Sequence, residues 1–304
     1  MIPTMDRRTL LLGTLGSGLA GCAPRDKPYP GLDKPLTLKT YLAQLRDIPG
    51  GSFTMGTDKP PVTTRRHDPL AGWVGGAYVF ANEAPSHRVT LTDYRLGATP
   101  VTVGMWKEYC DATGTPLPRM WSSNGPDDHP VVEVSWNDVA GNDGKGGFCG
   151  WASEMAGFAL TLPTEAQWEY AARGGAAGRT YPWGETFDPE KAGAAGIRFG
   201  QPLTKPVSRT FAVYRNEFGL FDMVGNVFQW CRDWYAPYKP GETLDPSGPA
   251  KCPDSTRLRS QRGWVSAGGS DDPESGWSFR CAVRRSGNDF IGTSRTGFRL
   301  ASKA

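Results

Sequence analysis

The sequence predicts an irregular α+β domain with little regular secondary structure. Glycine and proline are abundant, 39 and 26 of 304 residues, which implies many turns between short elements. Aromatic side chains, including 11 tryptophans, have to supply much of the buried area. Alternating strand-like segments come first, short capped helices follow, and loops with short strands fill the rest, an α+β order. A composition of 38% hydrophobic and 21% charged residues excludes a disordered chain.

The elements follow in chain order. Ile48-Pro49-Gly50-Gly51-Ser52-Phe53-Thr54-Met55-Gly56 alternates apolar and polar residues around paired glycines and predicts a strand with a tight turn. Ser86-His87-Arg88-Val89-Thr90-Leu91 is a second alternating strand. Thr99-Pro100 opens a predicted helix that runs through Trp106 and Tyr109 and stops near Gly114. Ser135 caps a further helix, which the glycine-rich stretch 141–147 interrupts and which resumes from Phe148 through Met155. Thr164-Glu165-Ala166-Gln167 after Pro163 is a capping box, in which hydroxyl and amide satisfy the free N–H groups reciprocally. That helix passes Trp168 and Ala172 and ends at Gly174-Gly175. No repeat and no low-complexity tract occurs, and one domain over 38–304 accounts for the pattern.

The N-terminus reads as targeting sequence. Arg7 and Arg8 precede a short apolar run from Leu10 to Ala20, the layout of a signal peptide over 1–21, too short and glycine-rich for a stable membrane span. The arginine pair and weak apolar core resemble a twin-arginine signal. Leu19-Ala20-Gly21-Cys22 resembles a lipobox, in which Cys22 carries the lipid and several acyl chains anchor the chain to a membrane. A plain cleaved signal with an incidental cysteine is the alternative. Ala23 rather than Asp follows Cys22, which favours the outer membrane or cell surface over the inner membrane. Residues 22–37 then form a lipidated cysteine and a proline-rich tether.

A net charge of +3 with no Lys/Arg run argues against nucleic acid as a partner. Besides Cys22 the cysteines are Cys110, Cys149, Cys231, Cys252 and Cys281, an odd number. No CxxC spacing and no neighbouring histidine supports zinc. His67, His87 and His129 are scattered in loop-like contexts, where structural roles outweigh a three-histidine iron site. In an oxidising, loop-rich context a Cys231–Cys252 bridge is expected.

Eight segments in order carry a resemblance: IPGGSFTMG (48–56), EAPSHRVTL (83–91), HPVVEVSW (129–136), LPTEAQWEYAARGG (162–175), YPWGE (181–185), NEFGLFDMVGNVFQW (216–230), AGGS (267–270) and GFRLA (297–301). Together they are similar to the formylglycine-generating enzyme, or sulfatase-modifying factor, family. The resemblance implies a C-type-lectin-like α+β fold. Active members oxidise a substrate cysteine with copper and oxygen, and soft thiolates suit Cu(I). Their two cysteines follow the Gly-Gly-Ser, where this chain reads Asp-Asp-Pro-Glu-Ser-Gly-Trp-Ser-Phe over 271–279. Cys281 falls at a neighbouring structural cysteine of the family, so copper and formylglycine generation are not expected. The resemblance also implies a calcium site from Asp222, the carbonyls of Gly225 and Val227, and Gln229, where the family usually has Glu. A second family calcium site is expected to be lost at Gly193. The other reading of Asp222 and Gln229 is that they bond loop backbone.

Three functions are compatible with this pattern. The first is a surface module binding a protein or small-molecule ligand, resembling lipoproteins diversified by retroelements. Its binding surface would comprise Asp271, Asp272, Glu274 and Trp277 in 271–279, and Asn288, Asp289, Phe290 and Arg295 in 286–296, with both segments close together. The second is a periplasmic maturation or oxidation factor with Asp271, Asp272 and Glu274 as acid–base groups. The third, a true formylglycine generator, lacks its cysteines.

Overall fold

The structure, a computed structural model, describes residues 36–63, 73–74, 77–118, 124–192, 204–207, 215–264 and 273–304. Short strands and helices alternate with long irregular stretches, as glycine and proline content predicts. The chain enters through helix α1 (Leu38–Leu42), capped by a reciprocal Thr37–Thr40 box. Strands β1 (Arg46–Ile48) and β2 (Gly51–Met55) follow around the expected turn. Asp93 holds that turn by accepting from the Gly50 N–H at 2.7 Å. Strand β2 buries Phe53 and Met55 and exposes Thr54, so its alternation does set one face inward.

Strands β3 (Val62–Thr63), β4 (Trp73–Val74) and β5 (Ala77–Val79) make a small antiparallel sheet in the order β3-β5-β4. Strand β6 (His87–Leu91) pairs antiparallel with β2. Strand β7 (Tyr94–Leu96) pairs with β1 and with the C-terminal β13 (Ala301–Lys303), joining residues 46–48 and 301–303 in one sheet. Tyr41 staples this sheet: its hydroxyl donates to the Thr99 carbonyl at 3.2 Å and accepts from the Leu300 N–H at 3.1 Å. Gly97 makes room for it, since a Cβ there would stand 1.8 Å from the Tyr41 hydroxyl.

Helix α2 (Val103–Thr113) starts at Thr102, three residues later than Thr99 predicts, and ends at Gly114 in the left-handed region at φ 70°. Tertiary pairing delays it: Val101 donates to the Phe298 carbonyl and Thr102 bridges Pro130, so these residues stay extended. Helices α3 (Trp136–Ala140), capped by Ser135, and α4 (Gly147–Ala156) flank the glycine interruption as predicted. Helix α5 (Glu165–Ala172) carries the predicted Thr164–Gln167 box. The larger sheet runs β11 (Arg284–Asn288), β10 (Leu258–Arg262), β8 (Phe228–Trp234), β12 (Thr296–Gly297). Strand β9 (Glu242–Leu244) adds a parallel edge to β6. Among the described residues no helix is long and apolar enough to cross a membrane.

The core has two halves. One gathers Trp106, Phe148, Trp136 and Phe298 around α2, α3 and α4; the other gathers Phe53, Trp168, Phe228 and Phe279 around β2 and α5. The expected Cys231–Cys252 bridge is absent. Both thiols are free. Cys231 lies fully buried in β8, while the Cys252 thiol donates to the Asp254 carbonyl at 2.9 Å. A central strand position holds its side chain inside, away from a loop partner.

Candidate functional site

Helix α5 is packed on nearly every side, only Gln167 being partly exposed, and Glu165 and Glu169 are both buried in it. A buried carboxylate must find cations and donors, and three arginines supply them. Glu169 accepts from Arg173 Nε at 2.8 Å and the Gly56 N–H at 2.9 Å, and it pairs with Arg262. Glu165 accepts both arms of Arg284, at 2.8 and 2.7 Å, together with Arg262 Nη1 and the Ser260 hydroxyl. Burial pushes both glutamates up, but Arg284 and Arg262 around Glu165, and Arg262 and Arg173 around Glu169, outweigh it and hold both below the ordinary range.

This cluster carries the segment that follows the Gly-Gly-Ser. Arg262 Nη2 donates to the Cys281 carbonyl at 2.8 Å. Residues Pro273–Phe279 form a 3-10 turn packed on an aromatic shelf: Phe187 stacks on Phe279 at 5.6 Å, and Tyr181 stacks on Trp183 at 5.6 Å. Arg280 then makes a bidentate pair with the buried Glu83 at 2.7 and 2.8 Å. Cys281 lies under the turn, fully buried, with its thiol pushed up to about 12 by burial. Such a thiol stays protonated and unreactive.

The predicted surface residues fare unevenly. Asp271 and Asp272 lie outside the described residues, and of Glu274 only the backbone is described. Trp277 is half-buried against the core and gives its carbonyl to Arg280 Nε. At the other segment, Phe290 and Ile291 project into solvent, 60% and 50% exposed. Asn288 shapes their turn, donating to the Thr256 carbonyl and accepting from the Phe290 N–H. Arg295 is half-buried and its carbonyl accepts from the Phe228 N–H. Asp289 corrects the expectation: it is 0% exposed and clamps Arg257 at 3.1 and 2.6 Å, so it is an anchor and not a contact surface.

The residues expected to hold calcium do not fit it. Gln229 Oε1 already accepts from Trp168 Nε1 at 3.0 Å and from Arg299 Nε at 2.6 Å. Its amide donates to the Asp222 carbonyl at 2.6 Å, and the buried Arg299 guanidinium donates to the same oxygen. Asp222 is thus the single anionic member, and burial raises it to about 6. Arg299 and Trp168 thus occupy the Gln229 oxygen calcium would need, and the Asp222 carboxylate accepts from Asn226 at 3.0 Å. Gly225 serves packing instead, since a Cβ there would meet the Ala192 carbonyl at 2.0 Å. Gly193 and His67 lie outside the described residues. His129 bonds the Thr204 hydroxyl at 2.9 Å, and His87 packs edge-on against Tyr238.

Residues 38–304, spanning this whole arrangement, match the model of the sulfatase-modifying factor enzyme 1-like domain. The chain belongs to the sulfatase-modifying factor family. The formylglycine-generating enzyme of Bos taurus is 30% identical over 295 residues, covering 84% of this chain and 73% of the relative. That of Streptomyces coelicolor is 30% identical over 305 residues, covering 77% and 87%. The structure of PvdO from Pseudomonas aeruginosa superposes with a TM-score of 0.63 at 26% identity, covering 86% of this chain and 94% of PvdO. Within this sulfatase-modifying factor domain, the Glu165-Glu169-Arg173 spacing of i, i+4 on one helix was the sequence signal for the ion cluster. It stayed hidden because that spacing equally describes a solvated helix face.

Proposed function

We propose that the protein is an exported lipoprotein whose sulfatase-modifying factor domain binds a protein or small-molecule ligand and does not generate formylglycine. One observation carries this reading: no cysteine stands between Ser270 and Arg280, and the remaining Cys281 is buried beneath the turn. Copper chemistry would need two accessible thiolates there. Contacts would come from the Pro273–Phe279 turn and from Phe290, Ile291 and Arg295. The tip at Phe290 and Ile291 suits substitution, because Asp289 fixes its base and both side chains project into solvent, whereas Gly292 packs on the Glu133 backbone. That is the property a diversified display surface requires. Anchoring would come from acylated Cys22, with the outer membrane as the favoured site.

Exchange of Phe290 and Ile291 for unrelated residues, with Asp289 and Gly292 retained, should leave the melting temperature intact and change what the protein captures. Loss of folding on exchange would overturn the display reading. Copper-loaded protein given a sulfatase-motif peptide should yield no formylglycine by mass spectrometry. A maturation factor would instead lose activity in Glu274→Gln while still binding its ligand. Mass spectrometry of the N-terminus should find lipid on Cys22, and replacing Arg7 and Arg8 by Lys should block export.

A further inference from the structure

Between the end of β8 and the exposed segment 237–249 lies a cavity of about 490 Å³. Met55, Trp234, Pro237, Tyr238 and Pro246 give it apolar walls. Glu165, Asp233 and Arg284 give it a polar floor. The floor is not evenly balanced. Glu165 is neutralised by Arg284 and Arg262, as described above. Asp233 is 5% exposed, and its Oδ2 accepts from the Glu165 N–H at 3.0 Å. Its other oxygen has no hydrogen-bond partner, and no cation forms an ion pair with it among the described residues. The space beside it is kept open by Gly248, at φ 72°, where a Cβ would come within 2.9 Å of Asp233 Cβ and 3.3 Å of Oδ1. Asp233 Oδ1 is not sealed off by protein, so it faces the cavity as an open acceptor.

We propose that this cavity binds a small organic ammonium ion with an apolar body, the ammonium donating to Asp233 and the body lying against Met55, Trp234 and Tyr238. A charge-assisted N–H···O bond is the strong way to satisfy a carboxyl there, and apolar walls with few polar groups are the usual make-up of a small-molecule site. Burial, then the neighbouring Glu165 carboxylate, holds Asp233 up at about 7, outweighing Arg232 on its own strand and Arg284 on β11. His87 and Lys239 line the same cavity. An arriving ammonium would draw Asp233 down. Near neutral pH its O–H bond then breaks on binding, and the proton leaves to the buffer.

The test compares phenethylamine with the neutral 2-phenylethanol on the full chain, by calorimetry near neutral pH in two buffers of different ionisation heat. Phenethylamine should bind at least about tenfold tighter, and its heat should differ between buffers because a proton is released. Asp233→Asn keeps an acceptor for the Glu165 N–H and should remove the preference for the amine. If that variant fails to fold, Thr243→Trp at the exposed rim should block the amine while leaving the circular dichroism unchanged. Equal binding of amine and alcohol, unchanged amine binding in Asp233→Asn, or no binding of either up to about 10 mM would each overturn the proposal.

Discussion

The two halves of the core are built on different physics. Around α2 and α4, Trp106 stacks on Phe148 at 5.5 Å and 6°, and Phe298 sets its edge against both. That half gains mainly from area burial and ring geometry. Around α5 the core surrounds the Glu165 and Glu169 carboxylates and three arginines, with Arg262 fully enclosed. Charges taken out of water recover their hydration loss only when every one is paired. The difference lies in what each half can support. The aromatic half tolerates graded change. The charged half is a single bonded unit, and the turn after Gly-Gly-Ser, Cys281 and the Asp233 cavity all rest on it.

Arg262→Met breaks that comparison most severely. It strands Glu169 beside Arg173 alone and should cost about 3–5 kcal/mol, read as a lowered urea midpoint. A loss no larger than that of an aromatic swap would mean the cluster is not one unit. Next comes pH. Asp233 has a folded value of about 7 against an ordinary 3.8, so the fold favours its neutral form. The stability it contributes is complete below about 4 and is lost as pH rises toward 7, at up to about 1.4 kcal/mol per pH unit. Wild type should therefore lose stability relative to Asp233→Asn over that window, measured by urea titration at stepped pH. A parallel pair of curves would place Asp233 in water. Phe148→Leu, in the aromatic half, should cost less than about 1.5 kcal/mol with no change in pH dependence. The smallest effect is expected at the surface: Phe290→Ser and Ile291→Ser should shift stability by no more than about 0.5 kcal/mol in thermal melts while weakening ligand capture.

Local signals located most elements within a few residues. Thr164 and Ser135 were legible as caps because a hydroxyl three residues before a carboxylate or amide is satisfied within one turn. Gly114 was legible as a stop because the left-handed region favours glycine. Thr99 was misleading as a helix start because a pairing with Phe298, nearly two hundred positions away, holds 99–101 extended. Asp289 looked like a loop contact because its partner Arg257 is thirty-two positions off and carries no local mark.

The sequence by itself determined that the chain is an irregular α+β domain of the sulfatase-modifying factor family without a cysteine pair after Gly-Gly-Ser. Those facts reside in residue identity, order and short-range spacing. Only the tertiary structure decided which charges are buried, that Gln229 bonds Arg299 and Trp168, and that Asp289 is buried against Arg257. Desolvation and pairing depend on what lies across the fold. A glutamate on a short helix looks the same in sequence whether it meets water or three arginines.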